Sequence, residues 1–283
     1  MNLCDIKTIK QVMAMFSLNF RKEFGQNFLT NNMVVEDIAD NCCIDANSTI
    51  LEIGPGIGSL TRELSLRYKN VVALEIDHGL IPVLKYTLGD CRNVTVINED
   101  VMKADLDTLL KPYFEQGKVS VCANLPYYIT SPIIMSLLES RLPVDSITVM
   151  VQKEAADRLC AEVGSRDGGA VTVAVSYYAQ AEKLFFVPRD SFVPPPKVNS
   201  EVIQLTIRKE PPVKVENEEF FFKLVKAAFS QRRKTAENSI SAGLGINKNI
   251  VAEALEKAGL ERTVRAEKLT MEDFANLEKI LNK

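Results

Sequence analysis

Three closely spaced glycines follow an apolar stretch and indicate a ligand-binding turn. The segment from Thr49 to Leu60 reads TILEIGPGIGSL. A β-branched run that breaks into glycines and then becomes amphipathic predicts a strand, a tight turn and a helix. Because glycine has no Cβ, Gly54, Gly56 and Gly58 can adopt positive φ and let a ligand approach the backbone. The first N–H groups of the helix then face that ligand. The turn is therefore predicted to hold a nucleotide-like molecule.

The residues around this turn narrow the choice of nucleotide. A dinucleotide fingerprint requires G-x-G-x-x-G, and Ser59 occupies the position of its third glycine. Glu52 precedes the turn, where we expect a carboxylate at the lip of the pocket to repel a pyrophosphate and suit a cationic ligand. Glu75 ends the next apolar stretch, at roughly the spacing from Gly54 at which an acid reaches ribose hydroxyls. These features favour S-adenosylmethionine over NAD, and a glycine-rich turn of an unrelated α/β protein is the alternative.

A second group of chemically capable residues follows the apolar stretch 119–123. Asn124, Leu125, Pro126 and Tyr127 come directly after it. Pro126 restricts Leu125 to an extended conformation, which holds the Leu125 carbonyl away from the following helix. The side-chain oxygen of Asn124 and this carbonyl can then accept both hydrogens of one exocyclic amino group, with Tyr127 stacked on the ring. The pattern predicts a holder for adenine N6, and the alternative is an Asx-turn beside a core tyrosine.

Alternating strand and helix patterns place these residues at one edge of a sheet. Strands are predicted at 50–53, 71–76, 94–98, 119–123 and 146–151, and helices at 58–67, at 80–88, after Ser131 and after Gln152. Such alternation predicts an α/β fold in which a parallel sheet has helices on both faces. Ligands of these sheets bind beyond the carboxyl ends of the strands. Residues at such ends should therefore face one crevice: Gly54, Glu75, Asp100 and Asn124.

The rest of the chain divides into a flank of the α/β domain and a second domain. The sequence predicts a helix at 5–16 with Asp5 as N-cap, a strand or a helix at 170–179, a rigid proline-rich loop at 187–198, a strand at 201–207, a linker at 209–219, and helices at 218–240, 249–258 and 271–281. We therefore predict an α/β domain over residues 1–208 and a small all-helical domain over residues 209–283.

Length, composition and charge exclude several classes of protein. A chain of 283 residues, 46% of them hydrophobic, suffices for about two domains with a large core. Without a long apolar run or an apolar N-terminus, we expect a cytoplasmic protein with no membrane contact. Six cysteines without a C-x-x-C pair and a single histidine, His78, predict no metal site and no histidine-based nucleophile. Residues 191–283 carry 16 Lys and Arg against 13 Asp and Glu, which alone is weak support for nucleic-acid binding.

Further motifs extend the pattern over most of the chain. They are FGQNFL at 24–29, VQKEAADRL at 151–159, FVPPPKV at 192–198 and FSQRRKT at 229–235. The glycine turn and the Asn124 motif resemble motifs I and IV of amino-group methyltransferases. From about Ile6 to Leu281, the sequence resembles the bacterial small-subunit (16S) ribosomal RNA adenine N6-dimethyltransferase family. The resemblance implies a Rossmann-like class I methyltransferase domain that uses S-adenosyl-L-methionine, and a helical domain that binds RNA or the ribosome.

The resemblance also implies a reaction and its residues. The reaction is dimethylation at N6 of two adjacent adenines in the 3′-terminal hairpin loop of 16S rRNA, by a monomer acting on the 30S subunit late in its biogenesis. The implied cofactor contacts are Asn27, Leu29, Gly54, Gly56, Glu75, Asp100 and Asn124, with Glu75 on the ribose and Asp100 on the adenine amino group. The implied catalytic residues are Asn124, Leu125, Pro126, Tyr127 and Phe192, with Phe192 stacked on the target base opposite Tyr127.

Basic residues in several segments are expected to contact RNA phosphates. They are Arg21, Lys22, Lys197, Arg232, Arg233 and Lys234. Without the resemblance, Arg232, Arg233 and Lys234 could equally well be a cluster of charged residues on the solvent-exposed face of a helix. The sequence departs from the family at Ala236-Glu237, where a leucine and often a cation are expected, and at Gly169, where an aromatic residue is frequent. Both positions lie outside the catalytic motifs, so they affect the expected RNA contacts and not the reaction.

Two other functions are compatible with the same residues. A methyltransferase acting on large-subunit rRNA or on DNA adenine would share every catalytic residue named above, and identification of the product separates these cases. A non-catalytic assembly factor that binds immature small subunits would have no need of an intact Asn124, Tyr127 and Glu75. An NAD-dependent dehydrogenase would require the third fingerprint glycine, which the sequence lacks.

Overall fold

The structure, a computed structural model, describes residues 1–18 and 27–282. The chain forms two compact units, one from residues 1–156 and 182–207 and the other from residues 157–181 and from Arg208 onward. These units differ from the linear division predicted from the sequence, because residues 157–181 group with the C-terminal helices. They do so because the helix at Ala170–Tyr178 packs against the helix that begins at Glu218.

Nine strands form the sheets of the described residues. They are β1 (Phe28–Leu29), β2 (Thr49–Ile53), β3 (Asn70–Glu75), β4 (Val94–Asn98), β5 (Val119–Asn124), β6 (Ser146–Gln152), β7 (Ala179–Val187), β8 (Phe192–Val193) and β9 (Ser200–Ile207). Seven of them form one sheet in the order β4-β3-β2-β5-β6-β9-β7, and β1 pairs with β8. The strands from β4 to β6 are parallel, as predicted, whereas β9 runs antiparallel to β6. The predicted parallel strands are thus confirmed, and β9, which was predicted as a strand without a direction, extends the sheet in the antiparallel sense.

The sheet topology predicts a ligand crevice at the centre of the sheet. All five residues of β2 are buried, and β2 lies between β3 and β5 in parallel register. From β2 the chain first builds outward through β3 and β4 and then returns to place β5 on the other side. The strand order reverses between β2 and β5, which is the point where open α/β sheets bind their ligands.

Twelve α-helices accompany the strands in the described residues. They are α1 (Ile6–Met15), α2 (Asn32–Cys42), α3 (Ser59–Arg67), α4 (Ile81–Thr87), α5 (Leu106–Phe114), α6 (Thr130–Glu139), α7 (Lys153–Leu159), α8 (Ala170–Tyr178), α9 (Glu218–Phe229), α10 (Ala236–Leu244), α11 (Lys248–Lys257) and α12 (Met271–Leu281). The predicted Asp5 cap is confirmed, since its carboxylate accepts the Thr8 N–H at 2.9 Å. The ambiguous segment 170–179 is the helix α8, while α2 and α5 were not predicted. No helix of the described ranges has the length and apolarity needed to cross a bilayer.

The predicted single helix at 218–240 was wrong, because a turn divides it into α9 and α10. Ser230 ends α9, and Thr235 caps α10 by accepting the Asn238 N–H at 3.4 Å. The segment contains neither glycine nor proline, so its break carries no strong sequence signal. Gly243 lets the two helices pack closely, since a Cβ there would lie 2.6 Å from Ala227 Cβ.

The two departures from the family pattern have structural roles in the C-terminal unit. The Gly169 N–H donates to Thr172 Oγ1 at 2.9 Å, and Gly169 forms the N-cap of α8. Glu237 is almost fully buried and pairs with Arg262 at 3.2 Å and with Lys248 at 3.5 Å. A buried carboxylate requires such partners, so Arg262 and Lys248 compensate for the burial of Glu237.

Candidate active site

The predicted cofactor and catalytic residues line one cavity at the carboxyl ends of β2, β3, β4 and β5. They are Asn27, Leu29, Gly54, Gly56, Glu75, Asp100, Asn124, Leu125, Pro126, Tyr127 and Phe192. The sheet topology brings together residues from widely separated parts of the sequence. The predicted crevice is thus present, although the role of each residue within it is not fixed by proximity.

The glycine turn after β2 has the geometry that a close ligand requires. Gly54 has φ +72°, and no atom lies within 4 Å of the position that a Cβ would occupy there. Gly56 has φ +61°, and a Cβ there would lie 3.0 Å from Phe28 Cε1. The turn ends at Gly58, the N-cap of α3. The backbone therefore leaves open space at Gly54 beside the first N–H groups of a helix.

Glu75 lies at the end of β3 with its carboxylate held in place. Its Oε1 accepts the Asp77 N–H at 2.8 Å, and its Oε2 accepts the Gly56 N–H at 3.1 Å. Burial raises the pKa of Glu75 to about 7, against the opposing effect of these backbone hydrogen bonds. Each carboxylate oxygen retains acceptor capacity, so the group is oriented to accept hydrogen bonds from a pair of hydroxyls.

Glu52 was predicted at the lip of the pocket, and this position is wrong. Its side chain lies on the fully buried strand β2 with 1% exposure, although it also lines the cavity. Burial raises the pKa of Glu52 to about 8, the nearby Thr61 opposes this rise, and the charge of Glu75 adds to it. Within the described residues, neither Glu52 Oε2 nor Thr61 Oγ1 has a hydrogen-bond partner of normal geometry.

Two buried acids in one cavity favour a ligand that carries positive charge. Ionised Glu52 and Glu75 repel each other, and a cation between them would stabilise both ionised forms. In residues 1–18 and 27–282, no group of three or more His, Cys, Asp or Glu side chains is arranged to hold a metal ion. The open glycine turn, the oriented carboxylate of Glu75 and this pair of acids together fit S-adenosylmethionine, whose sulfonium and ammonium groups are cationic.

The substitution Glu52→Gln is expected to flatten the dependence of stability on pH. The pKa of Glu52 is about 8 in the folded protein and near 4.5 when unfolded, so the folded state binds the proton more tightly. Its contribution is therefore most favourable below pH 4.5 and is lost as the pH rises towards 8. Between pH 5 and 8, the free energy of unfolding should fall by about 2–4 kcal/mol less in the variant than in the unmodified protein.

Urea unfolding followed by circular dichroism at a series of pH values measures this difference. Glu99→Gln is the matched control, because Glu99 lines the same cavity but is exposed. Parallel pH profiles for Glu52→Gln and the unmodified protein would contradict the assignment of a raised pKa to Glu52.

Asp100 occupies the corresponding position after β4. Its Oδ1 accepts the Met102 N–H at 3.0 Å, and its Oδ2 lies 3.7 Å from Nζ of the exposed Lys103. A surface ion pair at this distance is weak, so the Lys103 contact leaves Asp100 Oδ2 available to a ligand in the cavity.

Asn124 and Leu125 line the cavity, and each has a hydrogen-bond acceptor that no described residue occupies. Asn124 ends β5 and is half-buried, and no described residue forms a hydrogen bond with its side chain or with the Leu125 carbonyl. The next carbonyl, that of Pro126, instead accepts Ile129 N–H at 3.1 Å and Thr130 Oγ1 at 3.2 Å. Two adjacent acceptors can take the two hydrogens of an amino group, which is the geometry predicted for adenine N6.

Two aromatic side chains border the same part of the cavity. Tyr127 is half-buried, and its hydroxyl lies 2.7 Å from Ser200 Oγ. Phe192 has 5% exposure and lies in β8, opposite Leu29 of β1. The Thr30 N–H donates to the Ser191 carbonyl at 2.8 Å and extends this pairing. The expected pair of rings for a base therefore lines the cavity, with Phe192 fixed by backbone pairing.

Of the residues predicted to contact RNA, those that the structure describes lie outside the cavity lining. Lys197 is exposed in the loop between β8 and β9, and Arg232, Arg233 and Lys234 are exposed in the turn between α9 and α10. The charge run is thus on a turn and not on a helix. Arg21 and Lys22 lie outside the described residues.

Several residues that shape the cavity were not singled out from the sequence. Phe28 packs against Gly56, Ile76 and Tyr128 line the cavity, and Ser200 holds Tyr127. Phe28, Ile76 and Tyr128 each adjoin a residue that was predicted, so extending each motif by one position would have found them. Nothing local marks Ser200, since its partner lies 73 residues away in the sequence.

Comparisons with known proteins find similar sequences over almost the whole chain. The family model described as ribosomal RNA adenine dimethylase matches residues 17–283. Ribosomal RNA small subunit methyltransferase A of Alkaliphilus metalliredigens is 48% identical over 95% of this chain and 94% of its own length. The protein of the same name from Lachnoclostridium phytofermentans is 46% identical over 99% of this chain and 98% of its own length.

Two solved structures share the fold over most of both chains. A dimethyladenosine transferase from Plasmodium falciparum has a TM-score of 0.72 and 26% identity, covering 90% of this chain and 97% of that one. The 23S rRNA methyltransferase ErmE has a TM-score of 0.69 and 27% identity, covering 91% of this chain and 100% of that one. The Rossmann-like fold class predicted from the sequence is thereby confirmed.

Proposed function

This chain belongs to the ribosomal RNA adenine dimethylase family, and we propose that it acts on two adjacent adenines in the 3′-terminal hairpin loop of 16S rRNA. It is an S-adenosylmethionine-dependent methyltransferase that dimethylates adenine in small-subunit rRNA. The finer parts of the proposal are that the substrate is the 30S particle and that the enzyme acts as a monomer in the cytoplasm. The observation that carries the proposal is the pair of acceptors at Asn124 and Leu125, which no described residue occupies, in a cavity also lined by Tyr127 and by acids.

We assign the binding of the cofactor to the acids and glycines of the cavity. Glu75 would accept hydrogen bonds from the ribose hydroxyls, Asp100 would accept one from the adenine amino group, and the turn at Gly54 would admit the ligand to the backbone. Asn27, Leu29 and Gly56 complete the assigned contacts. When bound, S-adenosylmethionine supplies a methyl group activated by a sulfonium. A cation bound beside Glu52 and Glu75 would lower the pKa of both acids and favour their ionised forms, whereas a pyrophosphate would be repelled by those forms.

The residues after β5 would orient the acceptor nitrogen. Hydrogen bonds from N6 to the Asn124 side-chain oxygen and the Leu125 carbonyl would favour a pyramidal nitrogen whose lone pair faces the methyl group. The same oxygens would stabilise the positive charge that develops on N6. The methylated nitrogen is acidic and loses its proton afterwards, so no ionised base is required. Positioning of this kind can supply roughly 7 to 11 kcal/mol of the barrier reduction.

The aromatic side chains would hold the target base. We propose that Tyr127 and Phe192 stack on its two faces, since both line the cavity beside Asn124. A base must leave its own stack to reach the cavity, at a cost of about a few kcal/mol, which is least for an unpaired adenine. A hairpin loop offers such an adenine, and the site therefore fits the proposed substrate.

Large-subunit rRNA is the second candidate substrate, because the 23S rRNA methyltransferase ErmE shares the fold over most of this chain. The identity to that protein is 27%, against 44–48% to the small-subunit methyltransferases. The small-subunit assignment is therefore favoured. A purely structural role in ribosome assembly is opposed by the intact set of Asn124, Tyr127 and Glu75.

Methyl transfer from labelled S-adenosylmethionine tests the choice of substrate. Small subunits isolated from cells that lack adenine dimethylation would be compared with large subunits and with naked 16S rRNA. The proposal predicts label in small subunits. Label in large subunits alone would transfer the assignment to the ErmE-like activity, and label in naked RNA alone would contradict the 30S particle as substrate.

Neutralising Arg232, Arg233 and Lys234 together should weaken the salt dependence of RNA binding. We propose that residues 209–283 bind RNA through this exposed turn. Each cation that contacts a phosphate releases counterions, so the triple alanine variant should reduce the slope of log K against log salt by about two to three units. Filter binding to 16S rRNA at a series of salt concentrations measures the slope.

A matched control replaces three exposed lysines elsewhere in the same unit. Lys223, Lys226 and Lys257 lie on helices and are exposed. Their replacement should change the slope less than replacement of the turn residues. An equal slope for the turn variant and the unmodified protein would exclude these residues as phosphate contacts.

A further inference from the structure

We infer that Ser200 is a positioning residue that fixes the ring of Tyr127 at the target-base site. This inference rests on the proposed function, because it concerns how the base is held for methyl transfer. The Ser200 and Tyr127 hydroxyls lie 2.7 Å apart, a normal distance for an O–H···O hydrogen bond. They join the turn after β5 to the first residue of β9.

Ser200 is suited to this role because it is both buried and rigid. Its side chain has no exposed surface, so a hydroxyl there requires a protein partner, which Tyr127 supplies. Ser200 lies opposite Gln152 in the antiparallel pair of β6 and β9. The preceding residue, Asn199, accepts the Lys153 N–H at its carbonyl and the Arg189 N–H at its side chain, both at 3.0 Å. The Ser200 hydroxyl is therefore anchored in the sheet.

Tyr127 needs such an anchor because its own segment is irregular. It lies in a turn between β5 and α6, where neighbouring hydrogen bonds hold the Pro126 carbonyl and not the tyrosine ring. A ring held only by packing can rotate about its side-chain torsions. The bond to Ser200 favours one orientation of the Tyr127 ring at the proposed base site.

The hydrogen bond between Ser200 and Tyr127 also connects the two rings proposed to contact the base through one segment of chain. Phe192 lies in β8 and Ser200 begins β9, so the loop 192–200 carries one ring and holds the other. The Arg189 N–H donates to Asn199 Oδ1 and so connects the segment just before β8 to the residue just before β9. Backbone pairing therefore holds Phe192, and these side-chain hydrogen bonds hold Tyr127 and the segment that carries Ser200.

Ser200→Ala and Tyr127→Phe test the inference, because each removes one hydroxyl and keeps the rest of the site. Each should lower kcat on small subunits about three- to tenfold, with little change in KM for S-adenosylmethionine, since one neutral hydrogen bond is lost. The double variant should be no slower than either single variant, because both act through the same bond. Independent roles would instead multiply the two effects.

Ser146→Ala is the matched control for loss of a buried hydroxyl from the same sheet. Ser146 is buried on β6 and bonds to Ser120 and to the Cys42 carbonyl, outside the cavity lining. Its replacement should lower the unfolding midpoint without lowering kcat. Circular dichroism and binding of S-adenosylhomocysteine verify that each variant is folded.

A readout independent of catalysis separates this inference from the proposed function. An RNA hairpin with 2-aminopurine at the target position reports stacking through its fluorescence lifetime. In complexes with S-adenosylhomocysteine, Ser200→Ala should reduce the short-lived, stacked fraction relative to the unmodified protein and Ser146→Ala. An unchanged fraction together with an unchanged kcat would overturn the role of Ser200, whereas failure of the unmodified enzyme to methylate small subunits would overturn the proposed function.

Discussion

Replacement of Asn124 by alanine is expected to reduce kcat by about 10²–10³-fold or more, because it removes a fixed dipole that faces developing charge. The Asn124 side chain has no hydrogen bond with any described residue, so its loss leaves none of the described groups unpaired. The remaining acceptor, the Leu125 carbonyl, cannot orient both hydrogens of N6 alone. Single-turnover methyl transfer with saturating S-adenosylmethionine measures the chemical step directly.

The control for this variant is Asn70→Ala. Asn70 is the first residue of β3, so it lies at the amino end of the parallel strands, whereas the cavity lies at their carboxyl ends. Its side chain donates to Thr49 Oγ1 at 3.2 Å. This control should retain its single-turnover rate even if its stability falls. A folded Asn124→Ala variant with the rate of the unmodified enzyme would remove Asn124 from the proposed mechanism.

Replacement of Glu75 by alanine is expected to weaken S-adenosylmethionine binding by roughly 10- to 100-fold, the effect of losing a charge-assisted hydrogen bond. The variant loses the proposed ribose acceptor and also the acceptor of the Gly56 N–H, so the glycine turn is less well ordered. Isothermal titration calorimetry measures the dissociation constant without any need for turnover.

Glu99→Ala is the matched control, because it removes an acid from the same cavity. Glu99 is exposed, so water can replace the interactions of its side chain, whereas Glu75 is only 4% exposed. Its loss should change the dissociation constant by less than the loss of Glu75. Equal affinities of Glu75→Ala and the unmodified protein would show that the carboxylate does not bind the cofactor.

The positions of the residues at the strand ends were predictable, because each is marked by residue types in the adjacent turn. The glycines after β2 require unusual backbone torsions, and Pro126 restricts the residue before it, so the sequence around each turn already limits its geometry. Parallel topology then brings the ends of β2, β3, β4 and β5 together, whatever the details of packing. Gly54, Glu75 and Asn124 could therefore be assigned to one cavity from the sequence alone.

The burial of Glu52 was not predictable from its position before the turn. An acid between Leu51 and Ile53 in a strand would normally face outward, but β2 has neighbours on both sides and helices against the sheet. Its burial depends on what covers the strand, which is a tertiary property. A charged residue inside an otherwise apolar central strand was the available signal that it serves a ligand.

Contacts between distant segments account for the remaining differences. The bond between Ser200 and Tyr127 and the grouping of residues 157–181 with α9 depend on chain packing and have no local pattern. The break between α9 and α10 is set by the cap at Thr235, a residue that is also common inside helices. The antiparallel strand β9 follows from the return of the chain after the loop at 192–199.

Nucleoside analysis of small-subunit RNA after incubation with the purified protein and S-adenosylmethionine tests the central claim most directly. Mass spectrometry of the digested 3′-terminal hairpin identifies both the modified base and the number of methyl groups. The proposed site predicts N6,N6-dimethyladenosine at two adjacent positions. Methylation at another base or on a ribose, or no modified adenine in RNA bound by a folded protein, would contradict the account.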